Sequence, residues 1–226
     1  MAVDTDNSWE QRYQSGQTGW DRGETSANLL HWIALDLLKP CRILIPACGN
    51  GHEVLTLAAL GFDVVAVDIA PTPLAHLAKL LKSHDLDAEL IQADFFHWQP
   101  AQTFDAIYEQ TSLCALAPEL WNDYEQCLHR WLGEQGNLFA QFMQTEEKSG
   151  PPFHCEVTEM QSLFMTSRWQ WSEQYKTQVT HVSGKILSSL SNVKSYHFIE
   201  SQPLIKQQNF FPPELLTTTA ESLHSL

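Results

Sequence analysis

The sequence predicts an α/β protein built on a mostly parallel sheet with helices on both faces. Three observations predict it. Short apolar runs alternate with amphipathic helical runs along the chain. The runs RILIPA and FDVVAV lack polar alternation, as strands covered on both faces do. The first of them runs straight into a glycine-bearing turn, CGNGHE, and a helix follows.

The elements are read in order. Residues 26–38 predict a helix, with Leu29, Leu30, Ile33 and Leu37 on one broad face, Ser26 as its cap and Pro40 beyond its end. Arg42–Ala47 is the first strand. Val54–Leu60 is helical, and Gly61 suits a left-handed cap. Phe62–Val67 is the second strand and ends in Asp68. Pro71–Ser83 places Leu74, Leu77, Leu80 and Leu81 on one helical side. Ala88–Gln92 is a weaker strand, closing near Asp94, and Thr103–Tyr108 is the fourth. A helix over Pro118–Leu132 precedes a fifth strand, Gly136–Met143. Val157–Phe164 reads as a short helix, Arg168–Lys176 as a sixth strand and Val193–Ile199 as the last. Thirteen of residues 177–226 are Ser or Thr, and none is Trp or Asp. A loosely packed tail is therefore predicted beyond Gln202.

Composition excludes several classes. A chain of 226 residues buries a real core and needs no metal or disulfide staple. The formal net charge of -14 disfavours a nucleic-acid partner or an anionic membrane surface. Five cysteines, an odd number with no C-x-x-C, signal neither a disulfide framework nor a metal site. The most apolar stretch, Leu29–Ala47, is broken by Asp36, Lys39 and Arg42, so it is no membrane span. No apolar leader segment is visible at the N-terminus. The expectation is a cytoplasmic monomer.

The chemistry concentrates around the first turn. A glycine-rich strand-to-helix turn lets the backbone approach a ligand, and an acid closing the second strand can take both ribose hydroxyls of an adenosine. Asp68, 17 residues after Gly51, has that position. Nicotinamide dinucleotides and S-adenosylmethionine both use this plan. The dinucleotide fingerprint G-x-G-x-x-G needs a third glycine, and here that position is Val54. A ligand without a pyrophosphate dispenses with it, which favours S-adenosylmethionine. Asp94 and Phe95 close the third strand, where an adenine edge and ring would be met. Trp9, Tyr13 and Trp20 precede the first predicted helix and could stack over a cationic sulfonium while excluding water.

Six segments appear in a telling order: SWEQRYQSGQTGWDRGE, ILIPACGNGHEV, GFDVVAVDIAPT, ADFFHWQP, FDAIYEQTSLCALAPELWNDY and GPPFHC. Over about residues 8–176 the chain resembles the thiopurine S-methyltransferase superfamily, most nearly its thiol, thiocyanate and halide methyltransferase branch. The resemblance implies a Rossmann-like class I methyltransferase with a seven-stranded sheet. It implies S-adenosyl-L-methionine as cofactor and a small-molecule or inorganic-anion methyl acceptor. It implies cofactor contacts at Trp9, Tyr13, Trp20, Ala47, Gly49, Asp68, Asp94, Phe95 and Gln110. Tyr13 stands where relatives usually carry Trp, and Ala47 where they carry Leu or Gly. Gln110 falls where they carry Arg or Tyr, which leaves the acceptor open. Residues 1–25 are then an aromatic lid, 26–200 the methyltransferase domain and 201–226 an atypical tail.

The expected reaction is direct displacement by a soft nucleophile, so catalysis is largely orientation. An acceptor that is already an anion needs no strong base. His154 and Glu109 are the candidate catalytic residues, although a loop histidine and a loop-holding carboxylate are the blander readings of each. Cys48 and Cys114 read as packing residues. Methylation of an oxygen or nitrogen acceptor, or binding of S-adenosylmethionine without turnover, are the alternatives.

Overall fold

The computed structural model describes residues 6–147, 149–180 and 186–193, with side chains described for 8–147 and 149–171. Nine residues, Asp6–Gln14, form α1, and Ala27–Ala34 form α2. Then follow β1 (Arg42–Pro46), α3 (His52–Ala59), β2 (Asp63–Asp68), α4 (Pro71–Ser83), β3 (Glu89–Gln92) and β4 (Phe104–Glu109). A short helix α5 (Ser112–Ala115) and a 3₁₀ turn (Pro118–Leu120) lead into α6 (Trp121–Trp131) and the long β5 (Leu132–Gln144). The described chain closes with α7 (Val157–Leu163), β6 (Gln170–Thr180) and β7 (Ile186–Val193).

The strands are ordered β3-β2-β1-β4-β5-β7-β6. Five of them, β3 to β5 in that order, pair in parallel. These five strands form the parallel-paired body of a seven-stranded sheet, and β7 and β6 continue it by antiparallel pairing. Strand order reverses between β1 and β4, so a crevice opens there at the carboxyl ends of the strands.

Alternation across each strand builds two cores, one on each face. Ile43, Ile45, Val64 and Ala66 pack with Leu29 and Trp32 of α2, Val54 and Leu57 of α3, and Leu74 and Leu77 of α4. Leu44, Val65 and Val67 face the other way, against Tyr124, Leu128 and Trp131 of α6 and Met160 of α7. Both faces of β1 and β2 are therefore covered, which is why these segments show no polar alternation.

Several expectations change. Ser26 precedes α2 but its side chain makes no cap bond; the hydroxyl instead accepts from Gln141 Nε2 at 3.1 Å. The helix stops at Ala34, four residues early, because Asp36 turns left-handed at φ 58°. Gly61 is left-handed at φ 82°, as its position after α3 predicts. The helix expected from Pro118 begins with a 3₁₀ turn and becomes α-helical at Trp121. The last strand is Ile186–Val193, which pairs with β5 from Gln144↔Ile186 to Asn137↔Val193. It ends where the sequence suggested it should begin. The rest of that expected strand, and the tail beyond Gln202, lie outside the described residues. Among the described residues no helix is long and apolar enough to cross a membrane.

Candidate active site

The turn after β1 is built from unusual backbone. Ala47, Gly49 and Gly51 have φ of 47°, 53° and 72°. Glycine adopts this region freely, whereas Ala47 does so at a cost of about 1–2 kcal/mol. A Cβ on Gly51 would lie 2.4 Å from Leu77 Cδ2, so this glycine lets α3 seat against α4. A Cβ on Gly49 would lie 2.6 Å from the Tyr13 hydroxyl, so that glycine lets α1 approach. Val54, at the missing third glycine, is fully buried in the core.

Asp68 sits at the end of β2 and is only 5% exposed. Its two oxygens accept from Gly49 N at 2.8 Å and Ala70 N at 2.9 Å. Burial pushes its pKa above the ordinary carboxylate value, and the hydrogen bonds from Ala70 and Gly49 oppose that. Asp94 follows β3. One oxygen accepts from Phe96 N at 2.9 Å, and the other lies 2.6 Å from His97 Nδ1. Phe95 packs on Phe96 and Tyr124 with ring centroids 4.9 and 5.0 Å apart.

Over this corner lies α1. Trp9 and Tyr13, four residues apart, share one helical face and meet Trp20 edge-on at 5.4 and 5.7 Å. Glu10 fastens the helix to the start of α4, accepting from Thr72 N at 3.0 Å and from the Thr72 hydroxyl. Asp21 fastens the segment after α1 to the glycine turn, 2.8 Å from His52 Nε2 and bonded to the Asn50 amide. Burial works to raise Asp21, but hydrogen bonds from His52, Gly23 and Asn50 outweigh it and hold the carboxyl at about 2. The same contact raises His52 against its own burial.

Together these elements enclose a cleft of about 1100 Å³ at the strand ends. Trp9, Tyr13, Trp20, Ala47, Asp68, Asp94 and Phe95 line it. Gly49 and Gln110 do not; they line a smaller pocket of about 70 Å³ beside the turn. Gln110 Oε1 accepts from the Tyr108 hydroxyl at 2.5 Å, within a buried chain linking Gln141, Ser26 and Asn28. The two candidate catalytic residues fall outside both cavities. His154 Nδ1 accepts from Thr145 N at 3.0 Å and Glu146 N at 3.3 Å, so it ties a loop. Glu109 is 1% exposed and accepts from Leu113 N at 2.9 Å, holding the start of α5. Burial pushes its carboxyl up to about 7, against hydrogen bonds from Leu113 and Ser112. Cys48 and Cys114 are buried, and burial raises both thiols.

Sequence reasoning missed the far half of the cleft: Ser112, Leu116, Leu120, Cys127, Arg130, Met143, Pro151 and Pro152. The visible signal was the apolar and small-residue run after β4, TSLCALAPEL. It also missed that Trp9 and Tyr13 stand on a helix, which their i, i+4 spacing could have shown.

The donor set can be tested against the candidate ligands. A buried carboxylate with two oxygens suits a pair of hydroxyl donors and repels phosphate. Aromatic faces suit a sulfonium. The residues fit S-adenosylmethionine and not a pyrophosphate.

Residues 4–198 match the family model described as Thiopurine S-methyltransferase. The chain belongs to this family. It is therefore an S-adenosylmethionine-dependent methyltransferase. Among similar proteins, a thiopurine S-methyltransferase of Xanthomonas euvesicatoria is 33% identical over 182 residues, covering 73% of this chain and 83% of that one. A probable thiol methyltransferase 2 of Arabidopsis thaliana is 29% identical over 168 residues, covering 73% and 74%. A thiocyanate methyltransferase 1 of Brassica oleracea is 28% identical over 160 residues, covering 70% and 71%. The solved magnesium protoporphyrin IX methyltransferase of Synechocystis, with S-adenosylmethionine bound, is similar in fold. It has a TM-score of 0.68 at 13% identity, over 86% of this chain and 99% of that one. A Burkholderia thailandensis N1-methyltransferase with bound S-adenosylhomocysteine gives 0.68 at 16% identity, over 84% and 87%. The fold is that of S-adenosylmethionine-dependent methyltransferases.

Proposed function

We propose that this family member methylates a small sulfur acceptor, a thiol or thiocyanate, with a halide or related soft anion as the nearest alternatives. The observation that carries the reading is the division of the cleft. An acidic and aromatic corner lies at the β2 and β3 ends, and a mostly apolar half lies beyond it, without Glu109 or His154.

Bound S-adenosylmethionine supplies an electrophilic methyl group on a positively charged sulfur. The chain's own residues orient and desolvate. Asp68, its plane fixed by two backbone bonds, would accept from the ribose hydroxyls. Phe95 would pack the adenine, with Asp94 holding that turn in shape. Trp9, Tyr13 and Trp20 wall the cleft and would hold water away from a bound sulfonium while offering it aromatic faces. Charge is neutralised as an anionic nucleophile approaches a sulfonium, and a dry site helps such a step. The nucleophile enters as a thiolate or other anion, so collinear positioning supplies most of the rate. Residues up to 25 act as the lid, and a soluble small molecule is the partner.

The test is release of S-adenosylhomocysteine across hydrosulfide, thiocyanate, iodide, an aromatic thiol and a thiopurine, with catechol as the oxygen control. Turnover with a sulfur acceptor is expected. Turnover with catechol alone would overturn the reading.

A further inference from the structure

The segment that carries Trp9, Tyr13 and Trp20 over the cleft is rooted on α3. Thr25 Oγ1 donates to His52 O at 3.1 Å, and Ser26 N donates to Glu53 Oε1 at 3.0 Å. Further out, Glu10 and Asp21 fasten it. Glu10 accepts from Thr72 N at 3.0 Å. Asp21 Oδ1 accepts from Gly23 N at 2.8 Å and meets His52 Nε2 at 2.8 Å, while the other oxygen bonds the Asn50 amide. Trp20, which walls the cleft, is the next residue along from Asp21. The two fasteners differ in chemistry. Glu10 on Thr72 joins an anion to neutral donors. Asp21 on His52 joins an anion to the side chain whose charge ordinarily changes near neutral pH.

We propose that the His52–Asp21 contact is a pH-sensitive latch on this segment, tight while the imidazole is protonated and looser once it is neutral, which sets how fast S-adenosylhomocysteine leaves the cleft. The proposal rests on the cofactor reading above. The two side chains are only 20% and 18% exposed, so solvent screens the pair weakly. A neutral ring can still donate to Asp21, but as an ordinary bond, roughly half as strong. The groups that share a pocket with His52 are Asp21, Arg22 and Glu24 of the segment, Tyr13 of α1, Cys48 of the turn, Glu53 of α3 and Tyr108 of β4. Burial works against the imidazolium, but Asp21, with Glu53 and Glu24 behind it, outweighs burial and raises the ring above its ordinary 6.5. Arg22, a cation, opposes them. Burial keeps Tyr13, Cys48 and Tyr108 protonated near neutral pH. Asp21, at about 2, stays ionised throughout, and the Thr72 hydroxyl lowers Glu10 in the same direction. The latch is therefore fully charged below about 6.5 and loses that charge as pH rises through the higher pKa of the folded ring. The fastener at Thr72 does not change.

The experiment is stopped-flow release of S-adenosylhomocysteine from the full chain, read by tryptophan fluorescence between about pH 6 and pH 8.5, the range that spans the imidazole. The wild-type release rate should rise about three- to tenfold across it, as a charge-assisted bond becomes a neutral one. His52→Gln keeps a neutral amide donor, and its rate should be fast and nearly flat with pH. Asp21→Asn should be flat as well, because it removes the charge from the other side. Glu109→Gln should keep the wild-type rise, which separates the latch from the buried carboxyl held at about 7. A flat wild-type profile, or the same rise in His52→Gln and Asp21→Asn, would overturn the proposal and leave the contact a static fastener. Wild-type protein that binds no S-adenosylhomocysteine at all would instead overturn the cofactor reading, and the latch's part in release with it.

Discussion

Glu109→Gln should stabilise the protein at alkaline pH and leave it nearly unchanged at acid pH. The carboxyl is 1% exposed; Oε1 accepts from Leu113 N at 2.9 Å, while Oε2 is buried without a hydrogen-bond partner. Burial raises it from 4.5 to about 7, so the folded state holds a proton that the unfolded state gives up near 4.5. A carboxyl shifted this way contributes stability below its unfolded pKa and loses it as pH rises through the folded one. The window runs from about 4.5 to 7, and the loss across it is about 3 kcal/mol at 1.36 kcal/mol per pH unit. Glutamine keeps the acceptor for Leu113 and carries no charge. Urea unfolding of both proteins between pH 4 and pH 8 measures the difference. It should grow by about 3 kcal/mol in favour of the variant, most of it before pH 7. Parallel stability curves would refute the argument, and with it the view that Glu109 is a neutral structural acid rather than a base in the reaction.

Three further outcomes follow from the cleft. Asp68→Asn should weaken S-adenosylhomocysteine by about 1–3 kcal/mol in calorimetry and also lower Tm, because its amide nitrogen would face the backbone N–H of Gly49 or Ala70 that a carboxylate oxygen now accepts from. Trp20→Ala should lower kcat more than it weakens cofactor binding, since its rings exclude water at the reacting centre; equal losses would make it a plain wall. Gly49→Ala should cost about 1–2 kcal/mol for its left-handed backbone, plus the 2.6 Å approach to the Tyr13 hydroxyl. Adding Tyr13→Phe removes that hydroxyl, so the double variant should unfold at a higher temperature than additivity allows.

What the sequence made legible is local. Pro71–Ser83 is the helix its leucine spacing and leading proline predict. The β1–turn–α3–β2 unit is equally plain, because buried parallel strands leave unbroken apolar runs and the turn needs glycine. The less legible parts depend on partners far along the chain. α1 has only the aromatic pair Trp9 and Tyr13 as an apolar face; it is held by Glu10 on Thr72 and by the seat at Gly49. β7 reads as a serine-rich stretch, ILSSLSNV, and is a strand because β5 offers eight paired positions beside it. Ser26 looks like a helix cap until Gln141, 115 residues later, claims its hydroxyl. Glu109 was legible as a carboxylate at the carboxyl end of β4, and His154 as a loop histidine in PPFH. Which way they face was not, since both are decided by backbone amides of loops, at Leu113 and at Thr145 and Glu146.

The same separation bears on how such a family can serve different acceptors. The proposed cofactor corner is made by α1, the glycine turn and the ends of β2 and β3, all before residue 100. The far half is made by α5, the turn at Leu116–Leu120, α6, β5 and the prolines at 151 and 152. The walls of the far half change shape with side chains such as Leu120, Cys127, Arg130 and Met143. None of these supports Asp68 or the lid latches at Thr72 and His52. Substitutions there can therefore alter what is methylated while leaving the bound geometry of the methyl donor alone. A Met143→Ala or Leu120→Ala variant should change the ranking of acceptors by KM while its S-adenosylhomocysteine affinity stays within about twofold of the parent. A matching loss of cofactor affinity would show that the two halves are one cooperative site.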